Sequence, residues 1–276
     1  MILSLCNEVL REHDLAEQCR IAAALGYGGL EMAPFTLTDD PTTLTTADGE
    51  RVRAIAQDHG LVVTGLHWLL VAPEGLSLTT DDPARRDRTL GLLERLIDLC
   101  AAMGGTVLVH GSPAQRRLDH AATPARARDN AAACLAKAAE WSAKAGVTYC
   151  IEPLNPGQAD YVTTVAEAVE VVDRIGSPAL RTMVDTSSAG LAEAEPVAEV
   201  IRRWWPTGKL AHIQINDTNR RAPGQGNDKF RAVFEALRDV GYDGPVAVEP
   251  FVYEPDGATT AAVAAGYVRG ILEGLA

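Results

Sequence analysis

Eight short apolar runs alternate with eight amphipathic stretches along this chain, and 276 residues shared among eight such pairs leave about 34 or 35 for each. The runs expected as strands are 2–6, 29–33, 61–67, 106–110, 147–152, 181–185, 210–216 and 245–249. The stretches expected as helices are 13–25, 47–59, 82–103, 123–144, 164–175, 195–204, 229–240 and 259–275. Gly26 and Gly60 stop the first two helices, while Asp81 or Asp82 before Pro83, and Thr123 before Pro124, carry the oxygen and the first-turn proline of a helix start. A succession of this kind closes a parallel sheet into a barrel with its helices outside, an α/β fold of the single (β/α)8 TIM barrel type. A doubly wound sheet more often has about five or six strands and a glycine-rich first turn, and no GxGxxG follows the first run here. No linker or shift of composition marks a second domain, so residues 1–276 are expected to form one.

In such a barrel, chemistry sits at the C-terminal ends of the strands. The sequence places Asn7, Glu31, His67, His110, Glu152, Asp185, Gln214 and Glu249 there. In the last four, an apolar neighbour (Ile151, Val184, Ile213, Val248) precedes the polar residue, which therefore faces the barrel interior when that neighbour faces the helices. The intervals of 33, 29 and 35 residues are each close to one repeat, so the four side chains lie on consecutive strands and converge. Three carboxylates and an amide held together repel unless a cation lies among them. Oxygen ligands without a thiolate favour a hard divalent ion, Mn²⁺ foremost, with Mg²⁺ or Co²⁺ as alternatives. His212, two residues before Gln214 on the same face, is either a rival ligand or an interior histidine one layer deeper.

The formal charge of -12 argues against a nucleic-acid partner, because phosphate binding draws its affinity from Lys and Arg. Arg85, Arg86 and Arg88, and the pair Arg116 and Arg117, are expected on the solvated surface. Cys6, Cys19, Cys100, Cys134 and Cys150 form no CxxC pair and read as reduced structural residues, which points to a cytoplasmic protein. The start, MILSLCNEVLREHD, lacks the basic segment and long apolar run of a secretion signal, and no segment approaches the roughly 18 apolar residues of a membrane helix, so no membrane partner is expected.

The segments IEPLN from Ile151, MVDTSSAG from Met183, HIQINDTNRRAPGQG from His212 and YDGPVAVEPF from Tyr242 are together similar to the xylose-isomerase-like TIM barrels. Within that family the chain resembles ketose 3-epimerases of the tagatose and psicose type. The resemblance implies a divalent metal held by Glu152, Asp185, Gln214 and Glu249, with Glu152 and Glu249 also moving a proton beside a ketose carbonyl. It implies a sugar or keto-sugar substrate clamped by Arg220, with His67 and His110 bonding hydroxyls or relaying protons and with Glu31 and Ser188 completing the contacts. Trp68 either stacks on a pyranose face or packs under its loop. Relatives are often dimers or tetramers, so a homo-oligomer is expected. Three departures bear on the substrate. Gln214 stands where the epimerases have histidine, a change that hydroxypyruvate isomerases share. Ser188 replaces a substrate-binding histidine, and Pro156-Gly157-Gln158 departs from the usual sequence after the first ligand. GSPAQR from Gly111 resembles members acting on oxidised sugars. The same machinery serves aldose-ketose or hydroxypyruvate isomerisation, and a lyase or hydratase acting on 3-keto sugars or glycosides. A DNA-repair endonuclease of this fold is opposed by the acidic charge and by only six histidines. A metal-free sugar-binding barrel is the non-catalytic alternative.

Overall fold

The computed structural model describes residues 1–275 and shows a closed barrel of eight parallel strands, each paired with its neighbours in sequence and the last with the first. The strands are β1 (Ile2–Cys6), β2 (Gly29–Met32), β3 (Val62–Leu66), β4 (Val107–His110), β5 (Thr148–Ile151), β6 (Leu180–Asp185), β7 (Leu210–Ile215) and β8 (Pro245–Val248). Between and after them run α1 (Leu15–Ala24), α2 (Thr46–Asp58), α3 (Pro83–Met103), α4 (Pro124–Ala145), α5 (Val165–Ile175), α6 (Thr186–Ala192), α7 (Val197–Trp204), α8 (Arg231–Asp239) and α9 (Gly257–Glu273). The expected alternation is therefore present, with one helix more than anticipated. That extra helix, α6, begins directly at the end of β6 because Asp185 caps it, accepting the amide N–H of Ser188. Elsewhere the anticipated starts are in place: Asp82 accepts from Ala84 N and Thr123 from Arg126 N, ahead of Pro83 and Pro124. Gly26 and Gly60 have φ of 82° and 74° just past α1 and α2, a conformation that glycine adopts without penalty. Among the described residues no helix is long and apolar enough to cross a membrane.

Two separate apolar cores follow from the two-residue strand period. Leu5, Leu30, Leu108, Ile151, Val184, Ile213 and Val248 belong to the large cluster under the helices. Val107, Val109, Cys150 and Met183 form a second cluster. Cys150 and Met183 stand two residues before Glu152 and Asp185, so this small cluster shares their face and fills the barrel interior beneath them.

Candidate active site

The inward alternation carries Glu152, Asp185 and Glu249 to one place above the interior cluster. Ligand oxygens of these three buried residues lie within 4.8 Å of one another. Gln214 pairs in register with Asp185 across β6 and β7. Asp185 spends Oδ1 on the α6 cap and leaves Oδ2 buried and unpaired. Gln214 Oε1 and Glu249 Oε2 are likewise buried without a hydrogen-bond partner. Unpaired buried acceptors are rare because each forfeits its hydration. Three of them beside three acids form a donor set that matches a hard divalent cation. Asn216 holds the strand ends together, its side chain donating to Glu249 O at 2.8 Å and accepting from Ser187 N at 3.0 Å.

Crowding shows in the proton affinities. Burial, then the charge of Asp185, holds the Glu152 carboxyl well above the usual range, and Arg116 pulls the other way. Burial, then Glu152 and Asp185, raises Glu249 in the same manner. Asp185 is pushed by burial up to about 6, against the N–H bond it accepts from Ser188.

The other anticipated residues separate into groups. His67 is wholly buried beside the acids and bonds Glu8 Oε2 through Nε2 at 2.8 Å. Although burial opposes its charge, Glu8 and Glu31 raise its proton affinity. Glu31, expected at the substrate, is fully buried and accepts from Gln214 Nε2 at 2.7 Å. Burial favours its neutral form, but His212, His67 and Gln214 outweigh that and lower its carboxyl. His212 lies 2.7 Å from Glu31 Oε2, although neither of its ring nitrogens makes a hydrogen bond. It is not among the residues whose ligand atoms cluster with Glu152, Asp185 and Glu249. Ser188 sits beside the site, its hydroxyl 3.3 Å from Gln158 Oε1.

His110 requires a correction. The resemblance implies that it bonds substrate hydroxyls or relays protons, but Val107 and Val109 occupy the interior of β4, so His110 points outward with Leu108. Its Nδ1 is 2.9 Å from Tyr149 OH on the outer face of β5. Burial, then the nearby Arg116 charge, lowers its proton affinity to about 3, so the ring is neutral. Arg116 is itself a correction, because it is fully buried and not solvated. Its Nη1 donates to Glu152 O at 2.6 Å, while Nε and Nη2 have no partner. Burial brings the guanidinium down to about 10, with Glu152 opposing. Nothing in the pair Arg116-Arg117 distinguished a buried cation from a surface one. Glu8 was also missed, since it follows Asn7 in a 3-10 turn and only the first polar residue after each strand was taken.

Over the acids lies a small cleft lined by Trp68, Pro113, Glu152, Gln158, Glu249 and Phe251, among others. Trp68 packs edge-on against Phe251, with centroids 6.0 Å apart, and the exposed Arg220 sets its guanidinium carbon 4.8 Å from the other residue's ring centroid. Both Trp68 and Arg220 have left-handed backbones, with φ of 53° and 68°. Arg220 O accepts from Phe251 N at 2.8 Å, which ties the β7 and β8 loops together. A roomier hollow lies on the outside, between Arg128, Tyr161, Glu170 and Arg174, but none of its lining side chains carries a buried unpaired polar atom.

Comparison with known proteins gives the following. The sequence pattern described as xylose isomerase-like TIM barrel matches residues 19–269. D-psicose 3-epimerase of Enterocloster bolteae is 29% identical over 237 residues, covering 84% of this chain and 75% of its own. 3-dehydro-D-guloside 4-epimerase of Escherichia coli is 25% identical over 262 residues, covering 91% and 93%. A solved L-ribulose 3-epimerase superposes with a TM-score of 0.83 at 23% identity over 99% of this chain and 95% of that one.

Proposed function

Since the chain belongs to the xylose isomerase-like TIM barrel family, we propose that it is a divalent-metal-dependent epimerase that inverts a carbon beside the carbonyl of a ketose or keto sugar. The observation that carries this reading is the convergence of Glu152, Asp185 and Glu249 with the unpaired oxygens of Asp185, Gln214 and Glu249. These four residues would hold the ion, with Mn²⁺ favoured by the all-oxygen set. A bound divalent ion polarises the carbonyl and acidifies the adjacent C–H.

The chain's own residues supply the rest. One glutamate takes the proton from the carbon on one face, and the other returns a proton to the opposite face, which inverts the centre. Glu152 and Glu249 end β5 and β8, the outer pair of the four ligand strands. Burial raises both carboxyls, with Asp185 adding to it at Glu152 and Glu152 and Asp185 adding to it at Glu249. Trp68 and Phe251 cover the acids and limit water, and Arg220, stacked on Phe251, offers its guanidinium to a substrate oxygen.

A second reading, 4-epimerisation of a 3-keto glycoside, is favoured by the near full-length match to a 3-dehydro-D-guloside 4-epimerase. It uses the same two acids. The five free, buried cysteines support action in a reducing, cytoplasmic setting. The test is a panel of free ketoses and 3-keto glycosides assayed in D₂O with Mn²⁺ and with chelator. Deuterium should enter one carbon next to the carbonyl, and Glu152→Gln and Glu249→Gln should each abolish formation of the inverted epimer. Near-normal turnover by both metal-bound variants refutes the assignment; deuterium at a terminal carbon indicates aldose-ketose isomerisation, and a released leaving group indicates a lyase.

A further inference from the structure

An amide side chain has two ends of nearly the same size, one that accepts and one that donates. Gln214 can serve as a ligand only with its oxygen toward the acids. Those acids, however, attract the opposite end, because Glu152, Asp185 and Glu249 are acceptors and two of them have a buried oxygen with no donor. A 180° turn of the amide would satisfy them and leave no ligand oxygen. What opposes that turn is on β2. Glu31 is wholly buried, and its Oε1 accepts from Gln214 Nε2 at 2.7 Å. Turning the amide would replace this bond with two facing oxygens. The other groups around Glu31 keep it an acceptor: His212 Nε2 lies 2.7 Å from Oε2, His67 Nδ1 3.6 Å from Oε1, and Cys6 Sγ donates to Oε1 at 3.8 Å.

We infer that Glu31 is a positioning residue that fixes which end of Gln214 faces the metal, through its 2.7 Å bond to the amide nitrogen. It does not touch substrate; it keeps the carbonyl of Gln214 available. Glu31 and Gln214 thus form one functional pair, contributed by strands three places apart around the barrel. This inference rests on the metal-dependent reading above.

The experiment measures Mn²⁺ affinity by titration of metal-stripped protein followed by EPR, a readout independent of turnover. Glu31→Gln keeps the shape but can pair with Gln214 either way round, and should weaken Mn²⁺ binding by about 10–100-fold. Glu31→Asp keeps the charge but is one methylene too short for the 2.7 Å bond, and should weaken it by about 10-fold. The exchanged pair Glu31→Gln with Gln214→Glu reverses the donor and acceptor of this bond, and the carboxylate then at 214 presents an oxygen to the ion whichever way it turns, so binding should recover most of the loss. Three results overturn the inference: both single variants within about twofold of wild type, normal binding by Glu31→Asp alone, which would make charge and not aim the cause, or an exchanged pair no better than Glu31→Gln. Should Glu31→Gln not fold, Glu31→Asp and the exchanged pair, each compared with wild type, decide. Wild-type protein that binds no Mn²⁺ refutes the metal-dependent reading itself, a distinct outcome.

Discussion

Gly111, directly after β4, offers a way to move one catalytic carboxylate without changing it. A Cβ built at this position would lie 3.0 Å from Glu152 Cδ and would overlap Oε2. Carbon atoms rest at roughly 3.5–4.0 Å, so Gly111→Ala must drive the carboxyl carbon back by about 0.5–1 Å, and the nearer oxygen further. Glu152 is 5% exposed and faces Asp185 and Glu249, so it has little free space to retreat into. Gly111 does not have a left-handed backbone, so alanine carries no conformational penalty of its own and the effect reports on Glu152. A displacement of about 1 Å at a reacting group costs on the order of 10²-fold in rate, or about 3 kcal/mol of transition-state stabilisation. We therefore expect kcat to fall about 100-fold on whichever keto sugar is turned over, with weaker Mn²⁺ binding and a stability loss of about 1–3 kcal/mol from the overpacked acid site. Gly91→Ala is the control: it lies within α3 with open space around it, and should stabilise by up to about 1 kcal/mol without touching activity. If Gly111→Ala keeps both kcat and Mn²⁺ affinity within about threefold of wild type, the reasoning from Glu152 placement is wrong.

Two further predictions concern charge. Asp185 moves from an ordinary 3.8 to about 6 in the folded, metal-free site, a difference on the order of 3 kcal/mol. Because the folded value is the higher one, this contribution is present below the unfolded value and is lost as pH rises through about 6; Glu152 and Glu249 act in the same direction. Mn²⁺ takes the place of those protons, so the melting-temperature gain on adding Mn²⁺ should grow from about pH 5 to pH 7.5, and a gain independent of pH would count against the crowded-acid picture. Arg116→Met removes the cation that lowers Glu152, so the acid limb of kcat/KM should move to higher pH. Stability should fall by about 1–3 kcal/mol at most, because the apolar side chain removes the donor to Glu152 O but also a buried guanidinium with two unpaired nitrogens. An unmoved limb would mean that Arg116 is not sensed at Glu152.

The barrel was legible because each strand combined an apolar run with a stop signal, and because caps such as Asp82 and Thr123 stood next to prolines. Most strand and helix ends fell within two residues of those expected. α6 was not anticipated: no helix was expected between 185 and 195, and this one depends on Asp185 as its cap. The convergence of Glu152, Asp185 and Glu249 was readable from period and repeat length alone, since β5, β6 and β8 keep their alternation to the end. β4 keeps its alternation too, but its register leaves His110 on the outer face. Glu31 was singled out as a substrate contact, but its bond to Gln214 was not foreseen, because spacing along one chain does not say that β2 and β7 side chains meet across the interior. Arg116 and Glu8 were beyond sequence reasoning, since their burial is decided by loops closing over them.

The left-handed backbones of Trp68 and Arg220 bear on how this protein would respond to selection for heat tolerance. A residue other than glycine in that conformation costs on the order of 1–3 kcal/mol, most of which glycine, and in part asparagine, recovers. A screen that rewards survival at high temperature alone would therefore accumulate such replacements at 68 and 220. Each one would dismantle part of the aromatic and guanidinium row over the acids, so a hardened variant would arrive with a wider, wetter entrance. Thermostabilisation of this chain is better directed at exposed helix positions such as Gly91, where no such exchange is made.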